Sequence, residues 1–345
     1  MTTNRDKRYK RSVHNRVLLL MLLAGVLLLL VSIVLSITYG AKQVELTDVI
    51  SALFGKKQTT YNVNVVRARI PRTVFGILAG AALSMSGVLM QSITRNPIAD
   101  PSILGVNTGA SLFVVIGISL FHIQSKPVYM LLAFAGALVT AFFVYRIASF
   151  GYGGVTPIKL ALAGAAVSTA LSSMVSALVM PDTSVMTTFR FWQVGSIGGA
   201  DFEDIRLLLS PMLLGFVLCF FLATKLNTLA LGDETACALG LNVNRIRGIA
   251  ALIGVLLCAC TTALAGPIGF IGLMIPHLIR SFIGDNHEVL LPMSALYGSG
   301  VLILSDLIGR ILGSPGELES GVMTALIGVP CFVFIIRKAE VQSIG

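Results

Sequence analysis

Apolar residues in this chain fall into long unbroken runs separated by short polar breaks. In order, the runs cover 17–39, 73–94, 103–121, 127–145, 160–180, 207–224, 248–266, 268–283, 289–309 and 321–336. Most approach the ~20 residues an α-helix needs to cross a hydrocarbon core about 30 Å thick. Backbone amides in lipid must bond within their own segment, so the runs predict helices. None shows the short alternating segments of a membrane β-barrel. The expected fold class is therefore an all-α polytopic membrane protein with ten transmembrane helices. The stretch from Gly248 to Pro276 is too long for one helix, and Gly266, Pro267 and Gly269 mark a break inside it. The one long polar break in the second half of the chain is 225–247.

Composition agrees with that pattern. Hydrophobic residues make up 55% of the 345 positions and charged residues 12%, against about 25% charged in a soluble domain. The net charge of +9 follows basic residues flanking the runs, not a nucleic-acid-binding stripe, so no nucleic-acid partner is expected. Arg5, Lys7, Arg8, Lys10, Arg11 and Arg16 precede the first run and place the N-terminus in the cytoplasm. Ten crossings return the C-terminus, with Arg337 and Lys338, to the same side. The domain expectation is a basic cytoplasmic N-terminus over 1–16, one transmembrane domain over 17–338 with a cytoplasmic loop at 225–247, and a cytoplasmic tail over 339–345.

Lys42, Lys56, Lys57, Arg67, Arg69 and Arg72 break the charge rule, because this topology puts them outside, between the first two spans. The same loop predicts a short helix capped by Thr47 or Asp48, with Val49, Ile50, Leu53 and Phe54 on one face and Gly55 at its end. Gly55-Lys56 is not a phosphate loop: Ile50 stands where a glycine is needed and Lys57 where a serine or threonine is. Any ATP hydrolysis must come from another chain.

Candidate chemistry within the chain is sparse. His14, His122, His277 and His287 are scattered at the edges of the runs, and the five cysteines form no CxxC pair. No HExxH, no Ser-His-Asp arrangement and no paired carboxylates at depth are present, so neither catalysis nor a metal or cofactor is expected. Asp306 is the only acid inside a proposed span, and Arg310 follows it by one helical turn on the same face, which predicts a local ion pair. An ion-coupled carrier usually places an acid near the midplane, so secondary transport is the alternative class rather than the leading one. Within 225–247, Asp233 can begin a short helix and Gly240 can end it, which makes a rigid lever on the cytoplasmic face.

The chain resembles the FecCD-type permeases of type II ABC importers, which carry iron–siderophores, haem or cobalamin. The resemblance covers about 65–338. It rests on Arg69-Ile-Pro-Arg72, Gly80-Ala-Ala-Leu-Ser-Met-Ser-Gly87 with Gln91, Asn96-Pro-Ile-Ala-Asp-Pro101 and Leu104-Gly-Val-Asn-Thr-Gly-Ala110. Further on it rests on Leu229-Ala-Leu-Gly232, Leu239-Gly240, Gly266-Pro-Ile-Gly-Phe270 through Pro276-His277 to Arg280, Leu290-Leu-Pro292, and Gly328-Val-Pro330. It implies a ten-helix subunit paired with a second permease subunit, two ABC ATPase subunits inside and a substrate-binding protein outside. It also implies ATPase coupling through Glu234, Ala236 and Gly240; Thr235 departs from the fuller family motif. Arg69, Arg72 and Arg310 are then expected to receive the binding protein's acidic groups. Gly153, Gly154, Thr156, Pro157, Gly164 and Ser168 are expected to line or gate the route. The cargo expected from the resemblance is an iron(III)–siderophore, with haem or cobalamin as the alternatives.

Overall fold

The computed structural model describes residues 4–40, 44, 52, 61–151 and 155–344. Among them every regular element is helical: α1 (Asn4–Thr38), α2 (Tyr61–Thr94), a 3-10 turn (Pro101–Leu104), α3 (Val106–Phe121), α4 (Lys126–Ser149), α5 (Pro157–Val179), α6 (Thr183–Gln193), α7 (Phe202–Ala230), α8 (Asp233–Ala238), α9 (Val243–Ala265), α10 (Ile271–Ile283), α11 (His287–Leu312) and α12 (Ser320–Ile344). Seven of these are long and apolar enough to cross a membrane, and α3, α10 and the first part of α12 are shorter apolar helices. Together they match the ten expected runs one for one, including the break after Ala265. There Gly266 adopts φ +72 and Pro267 supplies no backbone donor.

The bundle is built around α2 and α9, which are buried along most of their apolar length, whereas α1 and α5 expose most of theirs. Helices approach closely where glycines face one another. A Cβ on Gly87 of α2 would lie 1.8 Å from the carbonyl oxygen of Gly272 in α10. With no side chain there, dispersion between backbones replaces the hydrophobic drive that lipid cannot supply. Ser86 Oγ donates to the Gly254 carbonyl of α9 at 2.5 Å one residue earlier.

The structure departs from or adds to the expected elements in several places, and some expected elements lie outside the described residues. α2 begins at Tyr61 rather than 73, so Arg69 and Arg72 are helical and buried, not loop residues. Pro71 sits inside this helix, where it removes one backbone hydrogen bond without ending the element. The tail expected over 339–345 is helical to Ile344. The amphipathic helix α6 was not anticipated: Asp182 accepts from the Ser184 amide at 2.7 Å and the Val185 amide at 3.3 Å, and Val185 and Phe189 turn inward. That aspartate followed by apolar positions four apart was the available signal. The short helix expected at Thr47, Asp48, Val49, Ile50, Leu53 and Phe54 lies outside the described residues, as do Gly153 and Gly154.

Candidate functional site

The bundle has two charged ends. One carries α8, which follows α7 across a sharp turn. Gly232 precedes it with φ +111, and Gly240 follows with φ +82. The Gly240 amide donates to Cys237 O and the Leu241 amide to Ala236 O, both at 2.9 Å. These paired bonds are the Schellman closure that a left-handed residue after a helix allows. Gly240 therefore stops the helix, as its sequence position predicted. Glu234 and Gly240 are exposed, whereas Ala236 is fully buried against the chain. The structure thus splits the three coupling candidates: two face outward, and one seats the helix.

Asp233, the first residue of α8, ties it to the membrane helices. Its Oδ1 accepts from Arg95 Nη2 at 2.6 Å and from Arg247 Nη2 at 3.1 Å. Arg95 follows α2 directly, and Arg247 is a buried residue of α9. Arg95 also donates to the Leu229 carbonyl of α7 at 3.1 Å. One carboxylate so joins α8 to the two central helices. Sequence reasoning singled out Glu234 and missed Asp233, Arg95 and Arg247 as a set, because their spacing along the chain gives no sign that they converge.

The opposite end holds the arginines. Arg72 donates Nε to Asp306 Oδ2 at 2.9 Å and Nη2 to Asp306 Oδ1 at 2.8 Å, a bidentate pair between α2 and α11. Its remaining Nη1 donates to Glu317 Oε2 at 2.6 Å. Arg310 Nε lies 3.2 Å from Asp306 Oδ2, so the ion pair expected within one helix turn is present. Arg310 also donates to Ser36 Oγ at 2.7 Å and Ser36 O at 3.1 Å, and Arg69 donates to Ile37 O and Thr38 O, each at 3.0 Å. Arg69 and Arg72 are 7% exposed and Arg310 is 1% exposed; in this chain they hold the end of α1 and the start of α2 against α11. Glu317 had drawn no attention in the sequence. At the same end Lys126 pairs with Asp204, and the Asp204 amide holds the Asp201 carboxyl below the usual carboxylate range.

Of the route candidates, Thr156 caps α5, its Oγ1 accepting from the Lys159 amide at 3.3 Å, and Pro157 opens that helix. A Cβ on Gly164 would fall 1.7 Å from the carbonyl oxygen of Ile103, so this glycine seats α5 on the 3-10 turn. Ser168 Oγ accepts from Thr108 Oγ1 at 3.3 Å. No group of three or more metal-ligating side chains occurs among the described residues.

A model of the FecCD transport family matches 28–338. The ferric enterobactin transport system permease protein FepD of Escherichia coli is 41% identical over 312 residues, covering 90% of this chain and 93% of the relative. The Fe(3+)-citrate import system permease protein YfmD of Bacillus subtilis is 39% identical over 323 residues, covering 93% and 96%. The names of further relatives refer to cobalamin and hemin. A solved structure described as an inward-facing conformation of a metal-chelate type ABC transporter superposes with a TM-score of 0.78 at 29% identity, covering 94% of this chain and 99% of that one. An ion-coupled secondary carrier is not favoured by these relationships. A bundle of ten apolar helices, matched by a transport-family model over most of its length, belongs to the FecCD transport family as a permease subunit of an ABC importer.

Proposed function

We propose that this chain lines the membrane route of an importer for an iron(III)–siderophore complex, working by alternating access. A second permease subunit would complete the route, two ATPase subunits would drive it from the cytoplasm, and a substrate-binding protein would deliver cargo outside. Both termini and α8 then face the cytoplasm, and the arginine end faces outward. The observation that carries the reading is α8 itself, a separate short helix tied through Asp233 to the two central helices. Glu234 and Gly240 present its outer surface to the ATPase, and Ala236 lets it sit flush on the bundle. A push on this helix reaches α2 and α9 through charge-assisted hydrogen bonds.

At the other end Arg72 and Arg310 share Asp306, and Arg72 also reaches the half-exposed Glu317, with Arg69 on the same stretch of α2. Guanidiniums gathered at this end suit an approaching acidic protein surface. Thr156, Pro157, Gly164 and Ser168, with Gly153 and Gly154, remain the proposed gate around α5. An iron(III)-chelate cargo is supported by the names of the two relatives described above, which refer to ferric enterobactin and Fe(3+)-citrate. The test is radio-iron uptake in a deletion strain complemented with this chain. Loss of ferric-siderophore uptake on deletion supports the cargo; intact iron uptake with loss of hemin or cobalamin uptake would replace it.

A further inference from the structure

A cavity of about 280 Å³ opens between α3, α5 and α6 near the arginine end. Its base lies beside Thr108, whose hydroxyl reaches Ser168 on α5. Apolar walls come from Val175, Val179 and Phe189. The polar groups are unevenly distributed: Arg190 and Gln193 stand on α6, and Ser172 and Ser176 face them from α5. Arg190 is exposed. Arg72, Arg95, Arg247, Arg280 and Arg310 each hold a carboxylate. Among the described residues no carboxylate pairs with Arg190, and no acid lines the cavity.

Such a lining suits one chemistry. A guanidinium offers parallel N–H donors to a planar oxyanion and keeps its charge at any working pH. The volume is at the small end for a ligand pocket, so it can take an arm of a chelate rather than the whole. The hydroxyls of α5 give the position its meaning. A largely exposed membrane span with serines along one face is better matched to a hydrated route than to lipid.

From these features we infer that this cavity is a subsite for an anionic oxygen group of the cargo, a carboxylate or a deprotonated catechol, with Arg190 as its charged donor. The inference rests on the importer reading above and narrows its cargo to chelates whose oxygen groups carry net negative charge. A neutral chelate would leave the guanidinium without an anion.

The test uses the assembled importer, with its ATPase and binding protein, in proteoliposomes. Five cargos are offered below saturation: an anionic ferric triscatecholate, ferric citrate, hemin, a neutral ferric trihydroxamate and cobalamin. Arg190→Gln should lower uptake of whichever anionic cargo the unmodified importer carries by at least about tenfold. Arg190→Lys, which keeps the charge, should retain most of that uptake. Uptake of any neutral cargo should be unaffected by either change. Three results would overturn the inference: an unmodified importer that carries only neutral cargo, anionic uptake untouched by Arg190→Gln, or an equal loss on neutral and anionic cargo, which would make Arg190 a subunit or headgroup contact. Transport of hemin without any siderophore would reject the siderophore reading alone, and Arg190→Gln would then be judged on hemin.

Discussion

Arg72 and Asp306, 234 positions apart, meet inside the bundle through two hydrogen bonds of 2.9 and 2.8 Å. Asp306 is fully buried and also lies 3.2 Å from Arg310. One carboxylate therefore compensates two guanidiniums that the fold withdraws from solvent. Removing one partner of a buried pair leaves the other charge uncompensated, at a cost of about 3–5 kcal/mol. Asp306→Ala should accordingly lower the unfolding temperature of the purified subunit far more than Glu317→Ala does. Arg72→Met combined with Asp306→Leu should be milder than the sum of the single changes, because the two groups couple. Additive losses in that double-mutant cycle would mean the pair contributes nothing as a pair.

Glu317 is the weaker and more accessible counterion on Arg72, with its side chain 45% exposed. Half-exposed pairs contribute little to stability, on the order of 0.5 kcal/mol. Glu317→Gln should leave thermal stability nearly unchanged while removing the negative charge beside Nη1 of Arg72. If acidic groups of the binding protein dock at this end, the variant should bind it more tightly at low salt in a pull-down, and the difference should shrink as ionic strength rises. Charge reversal at Arg72 is a poorer probe, since a carboxylate there would face Asp306 and Glu317. Binding that is unchanged or weaker in Glu317→Gln would count against docking on Arg72.

Gly87 and Gly272 set the spacing of α2 and α10. A methyl group on Gly87 would meet backbone rather than a movable side chain, at 1.8 Å. Gly87→Ala should therefore cost about 3 kcal/mol or more, at or above the usual range for overpacking. Gly269→Ala is the control, because open space surrounds that position. Equal melting temperatures for the two variants would show that the close approach is not maintained.

Asp233→Asn keeps the shape of α8 but removes the charge that binds Arg95 and Arg247. In the assembled importer the expected outcome is uncoupling: ATP hydrolysis continues while cargo moved per ATP falls severalfold. Arg247→Lys should give a smaller effect in the same direction. An unchanged ratio of transport to hydrolysis in Asp233→Asn would remove this carboxylate from the force path.

Much of this architecture was readable from residue order. Lipid imposes a minimum apolar length on each crossing, so the ten runs could be counted, and Gly266-Pro267 could be placed between two of them. Asp233 and Gly240 marked the limits of α8 because helix starts and stops are local events. The same locality explains the errors. The second apolar run starts at 73, after Arg72, yet α2 begins at Tyr61 and carries on through Pro71, with Arg69 and Arg72 buried in it. The amphipathic α6 was hidden by polar threonines around Phe189 and Trp192.

By itself the sequence determined which segments are long and apolar enough to cross the membrane, where α8 begins and ends, and the Asp306–Arg310 pair one turn apart. Those features depend on neighbours within a few residues. Only the tertiary structure decided that Arg72 reaches Asp306, that Asp233 gathers Arg95 and Arg247, and that Arg190 faces a cavity with no counterion among the described residues. Such pairings depend on which helix ends are brought together, and a charge is compensated through space by whatever the packing places beside it.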